Sequence, residues 1–172
     1  MPERQPGVYV VALTSERSSL SAARVEIALD ETALATLLAR PALRVDGRPA
    51  TLAALAARLA ACWLPDEVVV YVGLSSRPLK RRVREYYVTP LGARSPHAGG
   101  WPLKTLALPL YVHYASTPAF ADAEQDMLDA FAAATSAEAR ASLHDPTRPI
   151  PFANLRWRGH GRKQHGIAGA CG

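Results

Sequence analysis

Cysteine is scarce in this 172-residue chain, with two residues in all, Cys62 inside an alanine-rich stretch and Cys171 one residue from the end. Two cysteines exclude a disulfide framework, and a reducing, cytoplasmic setting is expected. Zinc is short of ligands as well, because His160, His165 and Cys171 lack a fourth partner at the usual spacing. Long apolar runs are missing. The longest, from Leu52 to Leu64, is cut by Arg58 and stops at Pro65, short of the roughly eighteen residues a membrane span needs, so no membrane partner is expected. The charge beside Met1 is not followed by an apolar signal core, and secretion is not expected. No internal repeat is visible, and the only compositional bias is towards alanine.

Acid is absent from one segment. From Arg148 onward there is no Asp or Glu, while Arg148, Arg156, Arg158, Arg162 and Lys163 carry positive charge equal to the whole net excess of +5. Basic side chains interleaved there with Trp157, His160, His165 and glycines suit a surface that tracks phosphates and bases. The plainer alternative is a solvated tail, over about 148–172, kept soluble by its charge. What the chain has in quantity is apolar residues, at 49%, against 20% charged, which suits one folded domain with a sizeable core.

Three runs rich in Val and Tyr, at Gly7–Leu13, Val68–Leu74 and Leu110–Ser116, predict the central strands. A helix is expected after the second, with Pro78 in its first turn and Leu79, Val83 and Tyr86 or Tyr87 at helical spacing. Another is expected after the third, capped by Ser116 or Thr117, with Pro118 in the first turn and Phe120, Met127, Leu128 and Phe131 on its apolar side. Between the first two strands, a strand is expected at Arg24–Leu29. A helix opened by Asp30 over Glu31–Ala39, a turn at Asp46 and Gly47, and a helix over about Thr51–Trp63 follow. The segments Thr89–Pro102 and His144–Pro151 read as loops.

Two tyrosines flank glycines on predicted strands, in Gly7-Val8-Tyr9 and Tyr71-Val72-Gly73, and a strongly basic helix follows the second. Singly, each tyrosine is an ordinary half-buried strand residue. Their order resembles the GIY-YIG nuclease family, in which a GIY strand, a YIG strand, a helix with an essential arginine, a helix with a glutamate and a closing asparagine succeed one another. Leu79, Arg82, Val83 and Tyr86 match that family's arginine pattern, which favours Arg82, while distance from Gly73 alone would select Arg81. Glu124 matches the glutamate, with Asp126 the alternative if the register slips, and Asn154 matches the asparagine.

The resemblance implies an α+β fold: a small antiparallel sheet of about three core strands flanked by helices, with an extra α/β insertion at about 15–66. It also implies a divalent-metal-dependent endonuclease that hydrolyses DNA phosphodiester bonds, or, as the alternative, an inactive nucleic-acid-binding module of the same fold. On that reading Glu124 holds one Mg²⁺ or Mn²⁺ ion, hard cations that favour oxygen ligands. Arg82 forks onto the scissile phosphate. Tyr9 is the general base, Tyr71 orients or shares the water, and Tyr86 contacts phosphate or water. Arg77, Arg81, Arg84, His97, Asn154, Arg156, Arg158, Lys163 and His165 are expected to face the nucleic acid. For His97, a packed turn built on Gly99, Gly100 and Trp101 is the stronger reading, and Lys104 is expected to be only a surface charge.

Overall fold

The computed structural model describes residues 5–16, 25–65, 67–93 and 100–171. Its class is α+β, with small antiparallel sheets and helices. The central sheet is built from β1 (Gly7–Ala12), β4 (Val69–Ser75) and β5 (Tyr111–Ser116). β1 lies in the middle and pairs antiparallel with both neighbours. β-branched and aromatic residues at alternating positions suit such strands because each side chain then packs on one face. The β1–β4 ladder shifts register between Val11 and Ala12, leaving Val70 as the extra residue of a bulge.

Among the described residues, five further strands and two helices complete the frame around 15–66 and the chain's end. They are α1 (Glu31–Leu38), the β2–β3 hairpin (Arg44–Val45 and Arg48–Pro49), α2 (Leu52–Ala60), the β6–β7 hairpin (Arg156–Trp157 and Gly161–Arg162) and β8 (Ile167–Ala168). Asp30 and Thr51 cap α1 and α2 by accepting the Ala33 and Ala54 amides at 3.0 and 3.2 Å. Asp46 and Gly47 both take positive φ, 52° and 76°, as a two-residue hairpin requires. β2 pairs with β3 and with β8, so the inserted segment and the chain's end share one small sheet.

One large cluster therefore joins Leu34, Leu37, Leu55 and Leu59 of the insertion to Tyr9, Val11 and Val70 of the central sheet and Phe152 and Ile167 near the end. Each fully buried leucine here, such as Leu37 or Leu55, is worth roughly 1.5–3 kcal/mol. On the opposite sheet face, Val72 meets Leu128 and Ala132 of α4 (Phe120–Ala134), with Ile150 and Trp157 beside them. Among the described residues the remaining α-helices are α3 (Leu79–Val88) and α5 (Ala137–Ser142). None of the described helices is long and apolar enough to cross a membrane.

Three expectations are corrected. Neither Ser116 nor Thr117 caps α4. Ser116 is still in β5, the Thr117 hydroxyl accepts the Ala119 amide at 3.2 Å, and the helix starts at Phe120 with Ala119 as its flanking residue. Residues 25–29 form no strand: a single bridge, Leu29 to Leu106, and isolated bonds such as Ala107 N–H to Ala28 C=O hold them. Arg24 lies outside the described residues. The basic segment after Arg148 is not a solvated tail, since Ile150, Phe152, Ala153, Trp157, Lys163 and Ile167 in it are all buried.

Candidate active site

Tyr9 on β1 stands directly opposite Gly73 on β4, and Tyr71 precedes Gly73 by two residues, so all three share a face. Both rings lean over the glycine, with centroids 5.8 Å apart and planes at 41°. A Cβ at Gly73 would fall 2.6 Å from the Tyr71 ring and 2.7 Å from the Tyr9 ring. Gly7 is likewise enclosed, because a Cβ there would press into the Ala115 carbonyl and the Leu79 side chain. Neither glycine has positive φ. Both are needed for close approach.

The Tyr71 hydroxyl is hydrogen-bonded to Tyr9, and Arg82 is hydrogen-bonded to Tyr9 as well. The bond between the tyrosines lowers the Tyr9 pKa and raises that of Tyr71, so it favours the charged form of Tyr9 over that of Tyr71. Burial nevertheless pushes Tyr9 above the ordinary tyrosine range, against the pull of the Arg82 charge. Tyr71 is raised further, again by burial first and then by Tyr9. Of the two, Tyr9 is the one placed to lose its proton.

Arg82 comes from α3, whose first turn is held by the Leu79 amide on the Gln5 carbonyl at 3.2 Å. Glu85 organises the basic face. Its carboxylate meets Arg77 at 3.4 Å, Arg81 at 3.3 Å and Arg82 at 3.5 Å. The Arg81 side chain is 67% exposed and that of Arg82 25%. Arg82 alone of the three adds its charge to Tyr9, Tyr71 and Glu124. Tyr86, one turn along, is half-buried beside Tyr9 and Tyr87, with the Lys104 ammonium 4.8 Å above its ring, and burial raises its pKa. Lys104 is thus more than a surface charge, for its Nζ also donates to the Thr89 carbonyl at 2.7 Å.

Glu124 arrives from α4 through the free edge of β4. Along that edge Val70, Val72 and Leu74, at alternate positions, present unpaired backbone groups outward. The Val70 carbonyl accepts the Ala153 amide at 2.9 Å. The Asn154 side chain pairs twice with Val72, accepting its N–H and donating to its carbonyl, each at 2.8 Å. The Leu74 N–H is taken by the Glu124 carboxylate. Burial raises the Glu124 pKa against that bond and the Arg82 charge. Asp126 is exposed, as its offset of two helical positions dictates, and Asp122 is 80% exposed and lies 3.9 Å from Arg158.

Beside Glu124 and Tyr71 a cavity of about 660 Å³ opens, also bordered by Arg156, Arg162 and His165. On the other side of the tyrosines a groove of about 410 Å³ runs between Tyr86, Tyr87 and Leu106. Tyr114 on β5, directly opposite Tyr9 and 36% exposed, adds a third ring to this face. Sequence reading missed Glu85, Tyr114 and the Leu74 amide. Only the alternation along β5 pointed to Tyr114, and nothing local pointed to the other two.

Two residues expected to face nucleic acid are buried, and a third, His165 at the cavity's border, is uncharged. Lys163 is buried, and its ammonium donates to the carbonyls of Ile150, Pro151 and Phe152 at 2.8, 2.9 and 3.4 Å. Its charge acts on Glu67, wholly buried and itself bonded to the Leu64 and Phe152 amides. Asn154 is buried and spent on Val72. His165 packs edge-on to Trp101, accepts the Ile167 amide at 3.1 Å, and is pushed down to about pKa 4 by burial and by Lys163 and Arg162, so it carries no charge at neutral pH. Arg77, Arg81, Arg84, Arg156 and Arg158 are exposed. His97 lies outside the described residues.

The donor set fits one hard divalent cation that keeps much of its water. Glu124 supplies a partly desolvated carboxylate that gains from a nearby cation, and such ions often take one or two carboxylates and complete their shell with water and phosphate. Among the described residues no three His, Cys, Asp or Glu side chains gather to hold a metal by themselves. No protein-family model, curated protein or solved structure matches the chain.

Proposed function

We propose that this chain is a divalent-metal-dependent endonuclease of the GIY-YIG type, hydrolysing phosphodiester bonds in DNA. The observation that carries this reading is the meeting of Tyr9, Tyr71, Arg82 and Glu124, from four separate elements, in one electrostatic cluster. A phosphodiester is an anion, so attack by water needs positive charge beside the phosphate and a base for the water's proton.

Arg82 supplies a guanidinium that neutralises charge building on the phosphate oxygens. Tyr9, as the phenolate, takes a proton from water as the new P–O bond forms and the bond to the leaving sugar oxygen breaks. The leaving oxygen gains its proton from solvent. Tyr71 is hydrogen-bonded to Tyr9 and holds its oxygen in place, and Tyr86 packs beside it. Glu124 would hold the Mg²⁺ or Mn²⁺, which when bound adds positive charge at the phosphate. The Leu74 amide fixes that carboxylate.

Supercoiled plasmid incubated with the protein and Mg²⁺ tests the reading. The parent should nick it, while Glu124→Gln should bind DNA and leave it intact. A parent that binds DNA but cuts with neither Mg²⁺ nor Mn²⁺ would make the chain a binding module.

A further inference from the structure

We propose that Arg156 and Arg162 form a clamp for one phosphate of the bound strand that is not the one cut. The proposal rests on the nuclease reading for the identity of the ligand, a phosphodiester phosphate. In the β6–β7 hairpin these two residues are directly opposed, and Trp157 is opposed to Gly161. Cross-strand partners share a face, so the guanidinium stems lie on one side of the ribbon and the indole on the other. Like charges directly opposite repel. Among the described residues no carboxylate lies within ion-pair distance of either, and both are exposed.

The hairpin that imposes this repulsion is firmly held. Trp157 is buried against α4 and donates to Asp129 at 2.7 Å, and His160 stacks on its ring at 3.8 Å. Arg148 donates to the His160 carbonyl at 2.8 Å and is itself paired with Asp145 at 3.3 Å. Gly159 and Gly161 take the positive φ the turn needs, 79° and 91°. The two arginines border the cavity that also holds Glu124 and Tyr71. An anion between them removes the repulsion and sits in the same cavity as the proposed catalytic carboxylate. A planar, forked donor pair suits a phosphate oxygen set. Arg158, in the turn between the strands, faces Asp122 instead and lies outside the clamp.

Short duplexes carrying one neutral methylphosphonate linkage at successive positions test this, with binding measured in the non-cutting Glu124→Gln protein. One linkage, at a fixed offset from the cut, should weaken binding about tenfold or more. In the Arg156→Gln/Arg162→Gln variant that loss should vanish, and the slope of log affinity against log salt should flatten by about 0.9, the value for one phosphate. Arg158→Gln removes the same kind of charge and should keep the linkage-specific loss. Thermal denaturation of each variant checks that it is folded. An unchanged slope and an unchanged linkage profile in the folded double variant would overturn the clamp. If the parent fails to nick plasmid while the clamp linkage is found, the nuclease reading falls and the clamp stands. If the parent nicks and the double variant binds like its control, only the clamp falls.

Discussion

Arg81 and Arg82 are neighbours in α3 with different surroundings. Arg81 is largely exposed and held by Glu85 at its own helix, while Arg82 is three-quarters covered and reaches the Tyr9 hydroxyl. Removing a donor that stabilises a transition state typically costs about a hundredfold or more in rate, so Arg82→Ala should lose at least that in plasmid nicking. Arg81→Ala should lose only a few-fold, roughly the scale of a rim charge. Equal losses in the two variants would remove Arg82 from the proposed role. Tyr9 gives a second prediction at this scale. Its pKa is raised by burial, so in neutral buffer the phenolate is the minor form and its fraction grows about tenfold per pH unit. The nicking rate should climb steadily across about pH 6–9. Tyr9→Phe should flatten what activity remains, and a parental rate that is level over that range would exclude Tyr9 as the base.

At the level of elements, β4 meets two demands at once. Its inner edge and face need glycine at 73 for the two tyrosine rings, and its outer edge is closed residue by residue by Ala153, Asn154 and Glu124. Gly73→Ala should therefore displace the ring pair rather than be absorbed as an ordinary strand substitution. Overpacking of this kind costs about 1–3 kcal/mol. Denaturant unfolding should show that loss, and nicking should fall with it. A fully stable and active Gly73→Ala protein would mean that the rings are not packed as described. The edge closure also explains Asn154 physically: its amide supplies one donor and one acceptor to the exposed Val72 peptide, as a further strand would.

For the whole molecule, the chain's end is bound into the core by buried polar groups as well as by apolar ones. Lys163 has its pKa lowered by burial and raised in part by Glu67, and Glu67 has its pKa raised by burial against the Lys163 charge. Lys163→Met leaves three carbonyls without their donor and Glu67 without its compensating charge, so it should cost about 3–5 kcal/mol in denaturant unfolding. A loss of DNA affinity without loss of stability would instead return Lys163 to the surface. His165 makes stability depend on pH. Its folded pKa of about 4 lies below the ordinary 6.5, so between these values the unfolded chain binds more protons. Stability is then fully present above about pH 6.5 and falls as the pH drops towards 4, by roughly 2–3 kcal/mol. Replacing His165 with Gln should flatten unfolding free energy over that window, and an unchanged acid slope would show that other groups set it.

Local pattern determined a good deal. The Val and Tyr alternation placed β1, β4 and β5 to within a residue or two, Asp30 and Thr51 marked two helix starts, and Asp46 with Gly47 marked a hairpin. These features depend on neighbours within a few residues, which is what a sequence displays. The triplets around Tyr9 and Tyr71, and the spacing around Arg82, were legible in the same way. Tertiary structure decided the rest. Whether a basic side chain meets solvent depends on what the distant chain puts beside it, and nothing near Lys163 announces Glu67 or the carbonyls of Ile150 and Pro151. Asn154 has no local reason to seek Val72. That Glu124 and not Asp126 stands beside β4 depends on which side of α4 faces the sheet, and that Arg82 and not Arg81 reaches Tyr9 depends on how α3 sits against β1. Both placements follow from packing between elements far apart in the chain, because burial and charge act through space and not along the sequence.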